Sequence, residues 1–135
     1  MKRMFLMCCL LIFLFVPGMA QKIVTIGTEL IRMDAQTNKI EYSINSGRSW
    51  HYRSAFTSSQ GVLSDLLVLG KELLACTNKG VYYSTNKGQS WHSRFFFTTN
   101  TSFTNLQSNG TELLGSGTKG LYYSKNGGRS WHKRN

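Results

Sequence analysis

A chain of 135 residues with 16 Lys and Arg, 6 Asp and Glu and a formal charge of +10 is a small basic protein, with length for one compact domain. Its cationic residues are scattered singly, mostly in turns and at strand ends, which excludes a basic block. With 3 cysteines and 1 proline, it also lacks the composition of a disulfide scaffold.

The first segment reads as a targeting signal. Lys2 and Arg3 precede an unbroken apolar run from Met4 to Val16, and Pro17-Gly18-Met19-Ala20 supplies small residues before Gln21. This layout predicts a secretory signal peptide over residues 1–20, cleaved after Ala20. The run is shorter than the roughly 20 residues a spanning helix needs, so no stable membrane insertion is expected after cleavage. Cys8 and Cys9 lie inside the apolar run without the small residues of a lipoprotein cleavage site. Export to the periplasm or the exterior is therefore expected. Loss of Lys2 and Arg3 leaves 14 cationic against 6 acidic residues, a charge of +8. Cys76 is then the one remaining cysteine. No intramolecular disulfide can form, and its apolar surroundings predict a buried, inert thiol.

From residue 21 onward the chain is organised by repetition, in three units spanning residues 21–53, 54–94 and 95–135. The first unit holds G27-T-E-L-I and then "EYSINSGRSWHYR" from Glu41 to Arg53, with extra residues around Asp34-Ala35-Gln36. The second holds G70-K-E-L-L and "YYSTNKGQSWHSR" from Tyr82 to Arg94. The third holds G110-T-E-L-L and "YYSKNGGRSWHKR" from Tyr122 to Arg134. Trp50, Trp91 and Trp131 are spaced 41 and 40 residues apart, a period that signals a solenoid, propeller or similar array.

Within the second unit the pattern is β throughout. Val62–Leu69, Leu73–Thr77, Val81–Thr85 and Ser90–Phe96 read as strands, and Gly70-Lys71-Glu72, Asn78-Lys79-Gly80 and Asn86-Lys87-Gly88 as turns. The third unit parses the same way, with turns at Thr118-Lys119-Gly120 and Asn126-Gly127-Gly128. The expected fold is all-β: three propeller-type blades of about four antiparallel strands. Closed propellers have about four to eight blades, so three predict either an open fan or half of a six-bladed ring made by a homodimer.

The octets S43-I-N-S-G-R-S-W50, S84-T-N-K-G-Q-S-W91 and S124-K-N-G-G-R-S-W131 resemble the Asp-box, or bacterial neuraminidase repeat. That family's pattern is Ser-x-Asp-x-Gly-x-Thr-Trp, set between the third and fourth strands of a propeller blade. Here Asn stands for Asp and Ser for Thr in all three copies, and both replacements keep hydrogen-bonding oxygens. The resemblance makes Ser43, Asn45, Gly47, Ser49 and Trp50 a structural staple, as it does Ser84, Asn86, Gly88, Ser90 and Trp91, and Ser124, Asn126, Gly128, Ser130 and Trp131. Gly should take positive φ, Ser and Asn should satisfy turn amides, and Trp should pack on its own blade.

Sialidases carry this box, which raises a hydrolase reading. Their chemistry requires an arginine cluster, a Tyr–Glu nucleophile and an acid/base carboxyl on six blades. The acids of this chain are Glu29, Asp34, Glu41, Asp65, Glu72 and Glu112, and no pair stands out as the two carboxyls of a glycosidase. No catalytic residue is assigned. His51, His92 and His132 each follow a box Trp, so successive copies lie a whole sheet apart. Zinc donors must meet at about 2.1 Å from one ion, so neither metal nor cofactor is expected.

The expected function is an exported, non-enzymatic binding module whose partner is a protein or an anionic polymer. Nucleic acid is not expected as a partner of an exported chain. Two alternatives are an inhibitor or immunity protein that caps a toxin or hydrolase, and a lectin-like or sialidase-related fragment. The binding candidates are Arg48, Lys87 and Arg129, a basic row in the box turns, and Tyr82 and Tyr122, a stacking platform for sugars.

Overall fold

The computed structural model describes residues 22–135, so the expected signal peptide lies outside the described residues. Regular structure among them consists of twelve strands: β1 (Ile23–Ile26), β2 (Glu29–Asp34), β3 (Lys39–Ser43), β4 (His51–Ala55), β5 (Leu63–Leu69), β6 (Glu72–Thr77), β7 (Gly80–Ser84), β8 (His92–Phe96), β9 (Asn105–Ser108), β10 (Leu113–Gly117), β11 (Gly120–Ser124) and β12 (His132–Lys133). They pair as three four-stranded antiparallel meanders, β1 to β4, β5 to β8 and β9 to β12. Each meander is a propeller-like blade, and within the described residues the three do not close into a ring. No helix of the described residues is long and apolar enough to cross a membrane.

Several bounds of the expected strands shift: β5 starts at Leu63, β6 at Glu72, and β7 spans Gly80–Ser84. β8 begins at His92, because Ser90 and Trp91 stay in the turn that precedes it. β4 runs to Ala55, and β8 ends at Phe96 as expected. A backbone bond from Phe56 N–H to the Asn38 carbonyl, and its counterpart from Phe97 to Lys79, extend the outer strand pairing into the connectors.

The first strands lie side by side, β1 against β5 and β5 against β9. Two apolar clusters fill the junctions between blades. The first joins Ile31, Met33 and Ile40 of blade 1 to Leu66, Leu73, Ala75 and Tyr82 of blade 2. The second joins Leu74, Cys76 and Val81 of blade 2 to Leu106, Leu113, Tyr122 and Trp131 of blade 3. Alternate residues of a strand face opposite sides of its sheet, so β6 sends Leu73 and Ala75 one way and Leu74 and Cys76 the other. The middle blade is covered on both faces, which is why β6 reads as a continuous apolar run. Burial pushes the Cys76 thiol up to about 12, so it stays protonated and inert at neutral pH.

Asp65 locks the inner strands together. One carboxylate oxygen accepts the Leu66 N–H at 2.9 Å and lies 3.3 Å from Lys22 Nζ; the other accepts the Leu106 N–H of β9 at 2.7 Å. One buried side chain thus touches all three blades.

Candidate functional site

The three box turns are built alike. In the first, Ser43 Oγ accepts the Gly47 N–H at 2.9 Å and donates to Asn45 Oδ1 at 2.9 Å. Asn45 Oδ1 also accepts the Ser49 N–H at 2.9 Å, while Asn45 Nδ2 donates to Ser49 Oγ at 2.7 Å. Ser84, Asn86, Gly88 and Ser90 repeat every one of these bonds, and so do Ser124, Asn126, Gly128 and Ser130. Asn replaces Asp without losing the turn, because its amide donates where a carboxylate would accept. Gly47, Gly88 and Gly128 take φ of 84°, 87° and 89°, the left-handed region where a Cβ is costly. The preceding Ser46 and Lys87, at 62° and 59°, share that region, and the third box fits it with Gly127.

Each box tryptophan lies against the Gly of its own turn, and Trp91 and Trp131 also meet a phenylalanine of a connector. Trp91 lies tilted against Phe56 of the incoming connector, 5.1 Å between ring centres, and donates Nε1–H to Ser54 Oγ of blade 1 at 3.0 Å. Trp131 lies tilted against Phe103 of the connector entering blade 3, 4.5 Å between ring centres, and donates to its own Gly128 carbonyl. These rings seal the blade junctions. Trp50 is covered by the Arg32 guanidinium, 4.2 Å from the ring.

A second repeated device escapes the motif. Arg53 makes a two-pronged bond with Glu29, lies 3.8 Å over Tyr42 and donates onward to the Lys87 carbonyl in the next box. Arg94 does the same with Glu72, Tyr83 and the Gly127 carbonyl. Arg134 pairs with Glu112 and lies over Tyr123. The sequence carried the signal, an Arg three residues after each box Trp and a Glu two after each turn Gly. Recognising it required knowing that the fourth strand lies beside the third, so that its Arg reaches across the third-strand Tyr to the Glu of the first turn.

The Arg53 hydrogen bond holds the Glu29 carboxyl below its ordinary value of 4.5, and Arg94 does the same to Glu72. A depressed folded-state value adds stability above the unfolded value that is lost as pH falls through the folded one. The thermal midpoint is therefore expected to drop as pH falls below about 4.5, and Glu72→Gln should make the drop shallower. Identical acid profiles for the two proteins would contradict this.

The candidate binding residues divide. Tyr82 and Tyr122 are buried in the blade junctions, where Tyr122 Oη donates to the Asn100 carbonyl, so they cannot form a stacking platform. They alternate with Tyr83 and Tyr123, and the inward member of each pair is the one covered by the neighbouring blade. Arg48, Lys87 and Arg129 are all exposed, one per blade. Lys87 Nζ leans to within 3.8 Å of Glu29, and Arg129 donates to the Asn126 carbonyl at 2.9 Å. In an antiparallel meander the first and third turns share one end, so Lys71 and Lys125, also exposed, join that end. At the opposite end Lys79 Nζ donates to the Ser58 carbonyl and Lys119 Nζ to the Thr99 carbonyl, while Lys39 is exposed. The histidines stand on separate sheets, each tilted against a tyrosine of its own blade at 5.5–5.6 Å.

Residues 82–93 and 122–133 match the family model of the BNR/Asp-box repeat. The first copy, which builds the same turn, lies outside the matched residues. No curated protein matches the chain. Among solved structures the chain is similar to that titled "Crystal structure of Niastella koreensis GH74 (NkGH74) enzyme", at 16% identity and a TM-score of 0.39. The similarity covers 89% of this chain and 26% of that enzyme, so the chain spans about a quarter of its length.

Proposed function

We propose that this chain, which carries BNR/Asp-box repeats, is an exported and non-enzymatic β-propeller-like binding module. Its basic end, where the box turns lie, takes an anionic polymer. The observation that carries the reading is the commitment of all 6 acidic residues to the fold. Glu29, Glu72 and Glu112 hold the repeated arginines, Glu41 holds Arg32, Asp65 joins the inner strands and Asp34 caps its own hairpin turn. A general acid at neutral pH needs a raised value, and Glu29, Asp34 and Glu72 are all lowered. With its carboxylates neutralised in this way, the box end presents Arg48, Lys71, Lys87, Lys125 and Arg129 to solvent. Like charge repeated along one end in this way attracts polyanions over a distance set by ionic strength.

Titration of the purified protein with a sulfated or carboxylated polysaccharide tests the proposal. Binding is expected to weaken steeply with salt, and a neutral glucan should not bind. The triple variant Arg48→Ala, Lys125→Ala, Arg129→Ala should lose about tenfold in affinity and part of the salt slope. Salt-independent binding, or full affinity in the triple variant, would reject the basic end as the site.

A further inference from the structure

The two internal blade junctions share a strand position and an arginine latch, and those positions recur on the two outward faces of the three described blades. Ile40 and Val81, at the second residue of β3 and β7, are fully buried against the following blade. The equivalent Leu121 in β11 is 37% exposed, because no described strand follows β12. Arg53 and Arg94 each donate to the carbonyl of the residue before the Gly in the next blade's box. Arg134 is their equivalent, and among the described residues it has no following box. The matching acceptor in the first box is the Ser46 carbonyl, and no described arginine donates to it. At the first junction Ser54 Oγ donates to the Gly88 carbonyl and accepts from Trp91 Nε1, whereas at the second Phe95 holds that place and Trp131 Nε1 donates to its own Gly128 carbonyl. Asn135 occupies the Ser54 position in the third unit and carries both a donor and an acceptor. Its counterparts in the first box would be the Gly47 carbonyl and Trp50 Nε1.

From this correspondence we infer that blade 3 of one copy docks on blade 1 of a second copy, repeating the internal junction between chains. Arg134 reaches the Ser46 carbonyl, Asn135 bridges Gly47 and Trp50, and Leu121 is covered. Closed propellers hold about four to eight blades, and six is the one multiple of three in that range. With the three described blades in each copy, two copies complete such a ring through two identical junctions related by a two-fold axis.

The junction between copies is more polar than those inside the chain. Arg32 and Glu41 form an ion pair where blade 2 has Ala75 and Tyr82, and Ser116 stands where Cys76 lies buried in β6. Charged side chains on one face meet hydrogen-bonding groups on the other, which favours a reversible dimer over a permanent one. The inference rests on the propeller-like reading of the blades and is independent of what the basic end binds.

Sedimentation velocity on the purified protein, from about 1 to 200 μM, tests it, since that range brackets dissociation constants of reversible dimers. A concentration-dependent dimer is expected. Leu121→Arg and Arg134→Ala should each weaken it about tenfold or more, as truncations at a junction centre do. Leu121 is solvent-facing within one chain, so an unchanged circular dichroism spectrum and melting of the Leu121→Arg monomer would confirm that it folds. A monomer across the whole range, open oligomers larger than a dimer, or undiminished dimerisation of Leu121→Arg would overturn the inference. Salt-dependent polyanion binding retained by the Leu121→Arg monomer would separate this outcome from that of the binding proposal.

Discussion

Trp131→Ala is expected to destabilise the chain by about 3–5 kcal/mol, the range for truncating a large buried ring. The ring is 8% exposed, lies 4.5 Å from Phe103 and packs with Leu106, Leu113 and Tyr122 in the second junction. A ring of this kind buries on the order of 200 Å², worth at most about 5 kcal/mol at roughly 25 cal/mol per Å². Its Nε1 bond to the Gly128 carbonyl also ties the ring to the turn. Urea unfolding measures the loss. Small domains have only about 5–15 kcal/mol of total stability, so a large share of it should disappear. Trp50→Ala supplies the internal comparison, best made in the monomeric Leu121→Arg background. Trp50 is half-buried, with a guanidinium rather than an aromatic ring over its face, so its truncation should cost clearly less. Equal effects at the two positions would mean that the box tryptophans stabilise their own turns and not the junctions.

The blade count, the strand order and the box turns could all be read from the sequence, because each depends on local spacing. Ser43, Asn45 and Gly47 fold one turn among themselves, and so do their copies. What could not be read was contact between units. The pair Tyr82-Tyr83 shows alternation along a strand, but which tyrosine is buried depends on where the neighbouring blade lies. A tryptophan in a turn reads as local packing until the connector phenylalanines Phe56 and Phe103 are seen beneath Trp91 and Trp131. The arginine latch spans two blades, with Arg53 reaching both Glu29 and the Lys87 carbonyl. Its partners lie 24 and 34 residues away, beyond any local pattern. The same distinction limits the site. Exposed turn residues such as Arg48 and Arg129 follow from the turns themselves, whereas the loss of Tyr82 and Tyr122 as binding residues follows from the junctions.

Asp65 shows the same limit most sharply, and it carries the second large prediction. In the sequence it is a polar break in the apolar run Val62–Leu69. In the fold its side chain is 7% exposed, and the register shifts between Leu63 and Asp65 to turn it inward. There it accepts the Leu106 N–H of blade 3 and its own neighbour's N–H, with Lys22 of blade 1 beside it. Lys22 is 44% exposed, so the ion pair itself is partly screened and the two amide bonds dominate. Asp65→Ala leaves both N–H groups buried without their acceptor and removes the anion facing Lys22. Unsatisfied buried groups cost about 1–3 kcal/mol each, and breaking a buried charged contact about 3–5, so a loss of about 3–5 kcal/mol is expected. Asp65→Asn keeps one acceptor oxygen and should cost less, about 1–3 kcal/mol. The Leu106 amide supplies a local readout that a general loss of packing would not match. Its hydrogen exchange should accelerate in Asp65→Ala by more than that of amides in β2 and β3. Uniform acceleration across the three blades would show that Asp65 stabilises blade 2 alone and does not bind blade 3 to it.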